Sequence, residues 1–204
     1  MHDMNIPVAG RPRQYRMVAR AKSAEENIIR LLDVALEMFT EHPYDDVSLE
    51  AIATRAGVTQ RTLLRRFGTK ETLFVEAMMR AARRVMSERD AAPVGDVPGA
   101  VANVVASYEN FGPNRLRLLA QEDRIPIIAE NVEGGRQYHW QWVERTFAPQ
   151  VTGLRGAARK RRVAALVAIT DVYMWKLLRR DWRLSQADTE KVMVDLISNL
   201  KGGD

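Results

Sequence analysis

Apolar side chains recur three and four positions apart through most of the chain and no stretch alternates with period two, so the pattern predicts helices and no strands. Ser23 and Glu26 read as a capping box that opens a helix over about 24–41, with Ile28, Leu31, Leu32, Ala35, Leu36 and Phe39 inside. Pro43 ends it. Ser48 caps a short second helix that turns Ile52, Ala53 and Ala56 inward. Gly57 then stands where a helix closes in a left-handed residue, a conformation glycine adopts without a Cβ clash. Thr59 caps a third helix carrying Leu63 and Phe67 to the core, and Thr69 a long fourth with Leu73, Phe74, Ala77, Met78, Ala81 and Val85 inside.

The segment "RDAAPVGDVPG", 89–99, holds two prolines and two glycines and reads as a boundary between functional parts. Beyond it the spacing predicts helices at about 98–111, 114–123, 126–149, 157–180 and 186–200, with Gly134 and Gly135 weakening the third. Residues 1–22, with Pro7, Gly10 and Pro12 among basic side chains, read as a flexible basic arm. The class is all-α, divided into the arm 1–22, a compact front unit 23–68, a connecting helix 69–90 and a rear helical unit 91–204.

Composition narrows the chemistry. The absence of cysteine removes disulfides, thiolate nucleophiles and cysteine zinc sites, and His2, His42 and His139 are far apart, so no metal or other cofactor is expected. A trio such as Asp171, His139 and Ser185 can be assembled, but no nucleophile elbow, phosphate loop or HExxH motif supports catalysis. The longest wholly apolar run, Val163 to Ile169, is far short of the roughly 20 residues a membrane span needs. The first twenty residues have no apolar block ahead of a small-residue cleavage site, so a soluble, cytoplasmic protein is expected.

Net charge is +5, and its distribution says more than its size. Acid-free basic runs fall on the arm, on "GVTQRTLLRRFGTK" at 57–70, and on Arg159, Lys160, Arg161 and Arg162. Two short helices joined through Gly57 match helix-turn-helix geometry. With Leu63 and Phe67 inside, Gln60, Arg61, Leu64 and Arg65 share the outer face of the second of them. In a major groove glutamine pairs with adenine, arginine with guanine O6 and N7, and leucine touches a thymine methyl. Ser48, Thr59, Arg66, Thr69 and Lys70 lie near helix ends, where hydroxyls, cations and N–H groups suit phosphate contacts; the hydroxyls suit capping as well.

Residues 25–75 resemble the N-terminal DNA-binding domain of the tetracycline-repressor (TetR) family of bacterial transcription regulators. The resemblance runs from "IATRAGV" through "TLLRRF" to "KETLF", with Ala35, Phe39 and Ser48 ahead of it. Three positions depart: Leu64 stands where the family usually has tyrosine, Arg66 where it has histidine, and Pro43 where glycine often follows the first helix. The family implies a three-helix helix-turn-helix domain joined by a long helix to a helical ligand-binding and dimerisation domain. It further implies a sequence-specific, ligand-responsive repressor that binds a double-stranded DNA operator as a homodimer. The other reading left open is a helical scaffold using its basic surface on anions without sequence preference.

Two rear stripes support the dimer: Val163, Leu166, Val167, Thr170, Val172, Met174 and Leu177, then Val192, Met193, Leu196, Ile197 and Leu200. "YHWQWVERTF", 138–147, concentrates aromatic surface. Tyr108, Tyr138, His139, Trp142, Phe147, Met174 and Trp175 are the candidate lining of a cavity for an apolar or aromatic effector.

Overall fold

A computed structural model describes residues 11–200, and among these it contains helices and no strand. The helices are α1 Arg11–Glu41, α2 Leu49–Arg55, α3 Gln60–Phe67, α4 Lys70–Arg89, α5 Val97–Leu119, α6 Pro126–Thr146, α7 Ala148–Val151, α8 Gly156–Ile169, α9 Val172–Trp175 and α10 Gln186–Ser198. None is long and apolar enough to cross a membrane.

Three boundaries differ from expectation, each for a local reason. Helix α1 starts at Arg11, so Ser23 falls inside it and the expected capping box is corrected. The residues after Pro12 are mostly strong helix formers with no glycine or proline among them, and a proline in the first turn costs no intrahelical hydrogen bond. Residues 1–10 of the expected arm lie outside the described residues. Helix α5 runs unbroken through Pro113, where two helices were expected. Gly112 has no Cβ to meet the proline ring, and the buried Trp175 side chain fills the space beside it, 2.5 Å from where a Cβ would stand. Helix α8 stops at Ile169 rather than continuing to 180. Thr170 Oγ1 donates back to the Leu166 carbonyl at 2.7 Å, and Asp171 Oδ1 accepts from the Tyr173 amide at 2.9 Å, so this pair closes one helix and caps the next. After α9 the chain widens into a π-turn, Lys176–Asp181, spanned by an ion pair between its two end residues. Gly134 and Gly135 do not interrupt α6.

Two apolar clusters hold the helices together. The front one joins α1 to α4 with Leu118 of α5 and with Ile125, Ile128 and Val132 around the start of α6. Phe39, Tyr44 and Phe74 sit at its centre, with ring centroids 5.3–5.5 Å apart. Burying one such phenylalanine contributes roughly 1.5–3 kcal/mol. The exposed Arg80–Asp33 ion pair, which also links α4 to α1, is worth about 0–1 kcal/mol. Apolar contact therefore fixes the front helices on α4. The rear cluster gathers α5, α6, α8, α9 and α10 around Val104, Trp142, Leu166, Trp175 and Met193.

Candidate nucleic-acid interface

The turn between α2 and α3 follows from one glycine. Gly57 adopts φ +69°, and the Val58 amide donates to Ala53 O at 2.9 Å while the Gly57 amide donates to Thr54 O at 3.1 Å. This pair of bonds satisfies the last carbonyls of α2 and turns Val58 back onto the front cluster. Three hydroxyls start the next segments: Ser48 Oγ accepts from the Ala51 amide at 3.0 Å, Thr59 Oγ1 from Thr62 at 3.2 Å and Thr69 Oγ1 from Thr72 at 3.1 Å. All three hydroxyls are thus caps, and all three residues are exposed.

Leu63 and Phe67 are buried, which rotates Gln60, Arg61, Leu64 and Arg65 to the outside of α3. Leu64 is 39% exposed, an uncovered apolar side chain between two cations. Helix α3 contains no acidic residue, and among the described residues neither Arg61 nor Arg65 has an ion-pair partner. A face so charged is stable only because water covers it. It can exchange that water for phosphates and base edges at little cost.

The remaining predicted residues are partly committed elsewhere. Arg66 leans over the Phe67 ring and reaches Glu76 at 3.5 Å. Lys70 is half-buried: its Nζ donates to the Tyr44 carbonyl at 2.6 Å and stands 4.3 Å from that ring's centre. Burial pulls its ammonium below the usual lysine value, while Asp45, Glu71 and Asp46 act to raise it. Tyr44 also links the front to the rear, since its amide donates to Gln121 Oε1 at 2.8 Å. Arg117 donates to Thr40 O at 3.2 Å and Asn114 to Thr40 Oγ1 at 3.3 Å, so the end of α5 holds the end of α1.

Between α1, α4, α5 and α6 lies a cavity of about 540 Å³. Its walls include Leu36, Met78, Met86, Phe111, Leu118 and, from the predicted set, Tyr108 and Tyr138. The other predicted lining residues are placed differently. His139, Trp142, Phe147 and Trp175 are buried in the core, and Met174 is half-buried against the rear cluster. The cause is position along α6: Asn131, Gly134, Gly135 and Tyr138 line the cavity, and Trp142, one turn further on the same face, lies beyond its end in the rear cluster, with His139 beside it. Their polar atoms are satisfied there, with Trp142 Nε1 donating to Arg89 O at 3.3 Å and Trp175 Nε1 to Glu109 Oε1 at 2.7 Å. Trp142 and Phe147 meet edge to face at 5.6 Å. Asp171 and Ser185 act as helix caps.

Sequence reasoning missed Arg115, Phe111, Met86 and above all Arg89. Arg89 ends α4 and is 0% exposed, with no ion-pair partner among the described residues. One terminal nitrogen donates to His139 Nδ1 at 3.2 Å, and the guanidinium carbon stands 5.0 Å from the Tyr108 ring centre and 5.5 Å from that of Trp142. Its Nε and other terminal nitrogen have no partner. Burial first, then the charges of Arg89 and Arg115, lower His139 to about 3, so the imidazole is neutral. Because Thr170 Oγ1 gives its proton to Leu166 O, His139 Nε2–H donates to Thr170 at 3.2 Å and Nδ1 is left as the acceptor for Arg89. The available signal was a charge four residues after Val85, in register with an apolar stripe.

Comparison with known proteins agrees with this geometry. The family profile described as "Bacterial regulatory proteins, tetR family" matches residues 31–77, from α1 through α4. The HTH-type transcriptional repressor KstR of Mycolicibacterium smegmatis is 27% identical over 183 residues, covering 88% of this chain and 89% of its own. A tetR-family transcriptional regulator from Streptomyces coelicolor shares the fold with TM-score 0.66 at 21% identity, over 84% of this chain and 79% of that one. The SmeT–triclosan complex does so with TM-score 0.67 at 18% identity, over 88% and 93%. On its turn, its caps and its apolar spacing, the segment 31–77 thus matches the tetR family of bacterial regulatory proteins, and over most of its length the chain shares the fold of such regulators.

Proposed function

We propose that this regulator is a cytoplasmic, ligand-responsive repressor that binds a two-fold operator as a homodimer, without catalysis. The observation that carries the reading is the outer face of α3, where Arg61 and Arg65 stand exposed without ion-pair partners among the described residues, beside Gln60 and Leu64. Gln60 and Arg61 read base edges, Leu64 meets a thymine methyl, and Arg65 extends the contact along the groove. Ser48, Thr59, Arg66, Thr69 and Lys70 fix the register through phosphates. Division of labour follows the chain: 23–68 reads DNA, 69–90 connects, and 91–204 dimerises and senses.

The second copy docks on α9, the π-turn that follows it and α10, where Tyr173, Leu177, Trp182 and Leu196 leave apolar surface exposed, Trp182 to 73%. Two reading helices then sit about 34–36 Å apart, one turn of DNA, or somewhat further. The effector occupies the cavity between α1, α4, α5 and α6. Helices α1 and α4 are the two that hold α2 and α3, so a ligand preferring one spacing of these walls shifts the reading heads. A repressor among the relatives and a small-molecule complex among the fold neighbours support this reading.

Selection from a random duplex library tests it. The expected product is an inverted repeat bound by a dimer, with log K falling steeply against log salt on all duplexes and the repeat preferred over scrambled DNA. Equal binding to any polyanion would overturn the proposal in favour of a scaffold.

A further inference from the structure

The cavity is asymmetric in charge. Its acidic wall residues, Glu37, Glu41 and Glu130, are all exposed and stand at the solvent side, and Glu37 is already engaged by Arg55 at 2.7 Å. The positive charge lies deeper. Arg115 of α5 is a half-buried wall residue whose guanidinium reaches α6, 3.5 Å from where a Cβ on Gly135 would stand. It has no carboxylate partner among the described residues.

Arg89 adds a second, fully buried charge behind the wall. It follows Val85 and Met86, both wall residues, by four and three positions, and helical side chains lean toward the N-terminal turn, so it leans toward the cavity. Its guanidinium carbon stands 5.0 Å from the ring centre of Tyr108, itself part of the wall. The partners that hold Arg89 are a neutral imidazole and two aromatic faces, none of which cancels its charge. A cation taken out of water without a counter-charge is among the most costly groups a protein can bury, and one that persists beside a cavity is compensated when an anion enters.

Taking the cavity as the effector site proposed above, we infer that it binds an amphipathic organic anion. The carboxylate is received by Arg115 in the field of Arg89, and an unbranched apolar body lies along Met78, Met86, Phe111 and Leu118. Methionine side chains suit such a body because they adapt to its shape. Guanidinium and carboxylate can pair through two parallel hydrogen bonds, which sets the orientation: head group inward, tail toward the mouth. His139 is a positioning residue, the neutral acceptor that holds the buried guanidinium in place.

Titration calorimetry on the full chain with decanoate, decanol and decyltrimethylammonium tests the inference, since the three share a chain length and differ in head group. Decanoate is expected to bind at least tenfold tighter than either of the others, and Arg115→Gln to bring decanoate and decanol within threefold. Arg115→Lys, which keeps the charge but loses the planar fork, is expected to restore part of the preference. Decanol binding as tightly as decanoate, a preference unchanged in Arg115→Gln, or no saturable uptake of decanoate would overturn it. Operator binding by the same preparations separates the two readings. Duplex binding without anion uptake removes this inference alone, and anion uptake by a chain that binds no duplex selectively removes the regulator reading alone.

Discussion

Two glycines in the middle of long helices offer a matched pair of alanine substitutions with opposite expected signs. Replacing glycine by alanine inside a helix stabilises by about 0.5–1 kcal/mol, chiefly by restricting the unfolded chain. At Gly134 in α6 the added Cβ meets nothing within 4 Å, so Gly134→Ala should show that gain. At Gly112 in α5 the Cβ would stand 2.5, 2.7 and 3.0 Å from three carbons of the Trp175 ring. That ring is fully buried and its Nε1 is fixed to Glu109, which Arg179 grips through both carboxylate oxygens at 2.8 Å. It has nowhere to retreat. Overpacking of this kind costs about 1–3 kcal/mol, and Pro113 removes much of the helical gain by disfavouring a Cβ before it. The two variants should therefore differ by roughly 2–4 kcal/mol in urea unfolding followed by helical circular dichroism. Equal shifts, or a stabilised Gly112→Ala, would refute the account of how α5 passes through its proline.

Other outcomes follow from single groups. His139 is held neutral at about 3, against 6.5 when unfolded, so the unfolded chain takes up its proton first as pH falls. Stability is intact above pH 6.5 and drops between 6.5 and 3, by about 2 kcal/mol at pH 5. His139→Gln should flatten that part of the urea-stability profile against pH, and an unchanged slope would contradict it. Ser48→Ala should cost about 1 kcal/mol in the same unfolding assay, because the Ala51 amide loses its cap. Lys70→Ala should weaken all duplexes alike and reduce the salt slope by about one, read by fluorescence anisotropy. No change in slope would leave Lys70 only its tie to Tyr44.

The front of the chain was legible because its signals are local. Ser48, Gly57, Thr59 and Thr69 each announce a helix boundary through their own backbone chemistry, and the structure keeps every one of them. Ser23 carried the same signal and was overridden, since nothing between Pro12 and Phe39 stops a helix. The rear is governed by contacts between distant residues. The spacing predicts two helices, 98–111 and 114–123, where one runs through Pro113, because the Trp175 ring that fills the space beside Gly112 lies far along the chain. The aromatics of 138–147 announced a cluster, but where the cavity ends along α6 decides that Tyr138 meets it while His139 and Trp142 meet the core. Arg89 was invisible as a site because a basic residue at a helix end reads as a solvated cap until its burial is known.

The most direct test of the central claim is the ratio of affinities for the selected duplex and a scrambled one, measured for the wild type and for Arg61→Ala at a fixed salt concentration. If the outer face of α3 reads bases, the variant should lose about 1–3 kcal/mol on the selected duplex and far less on the scrambled one, so that the ratio collapses. An unchanged ratio, with both affinities falling together, would contradict it and leave Arg61 holding only phosphates.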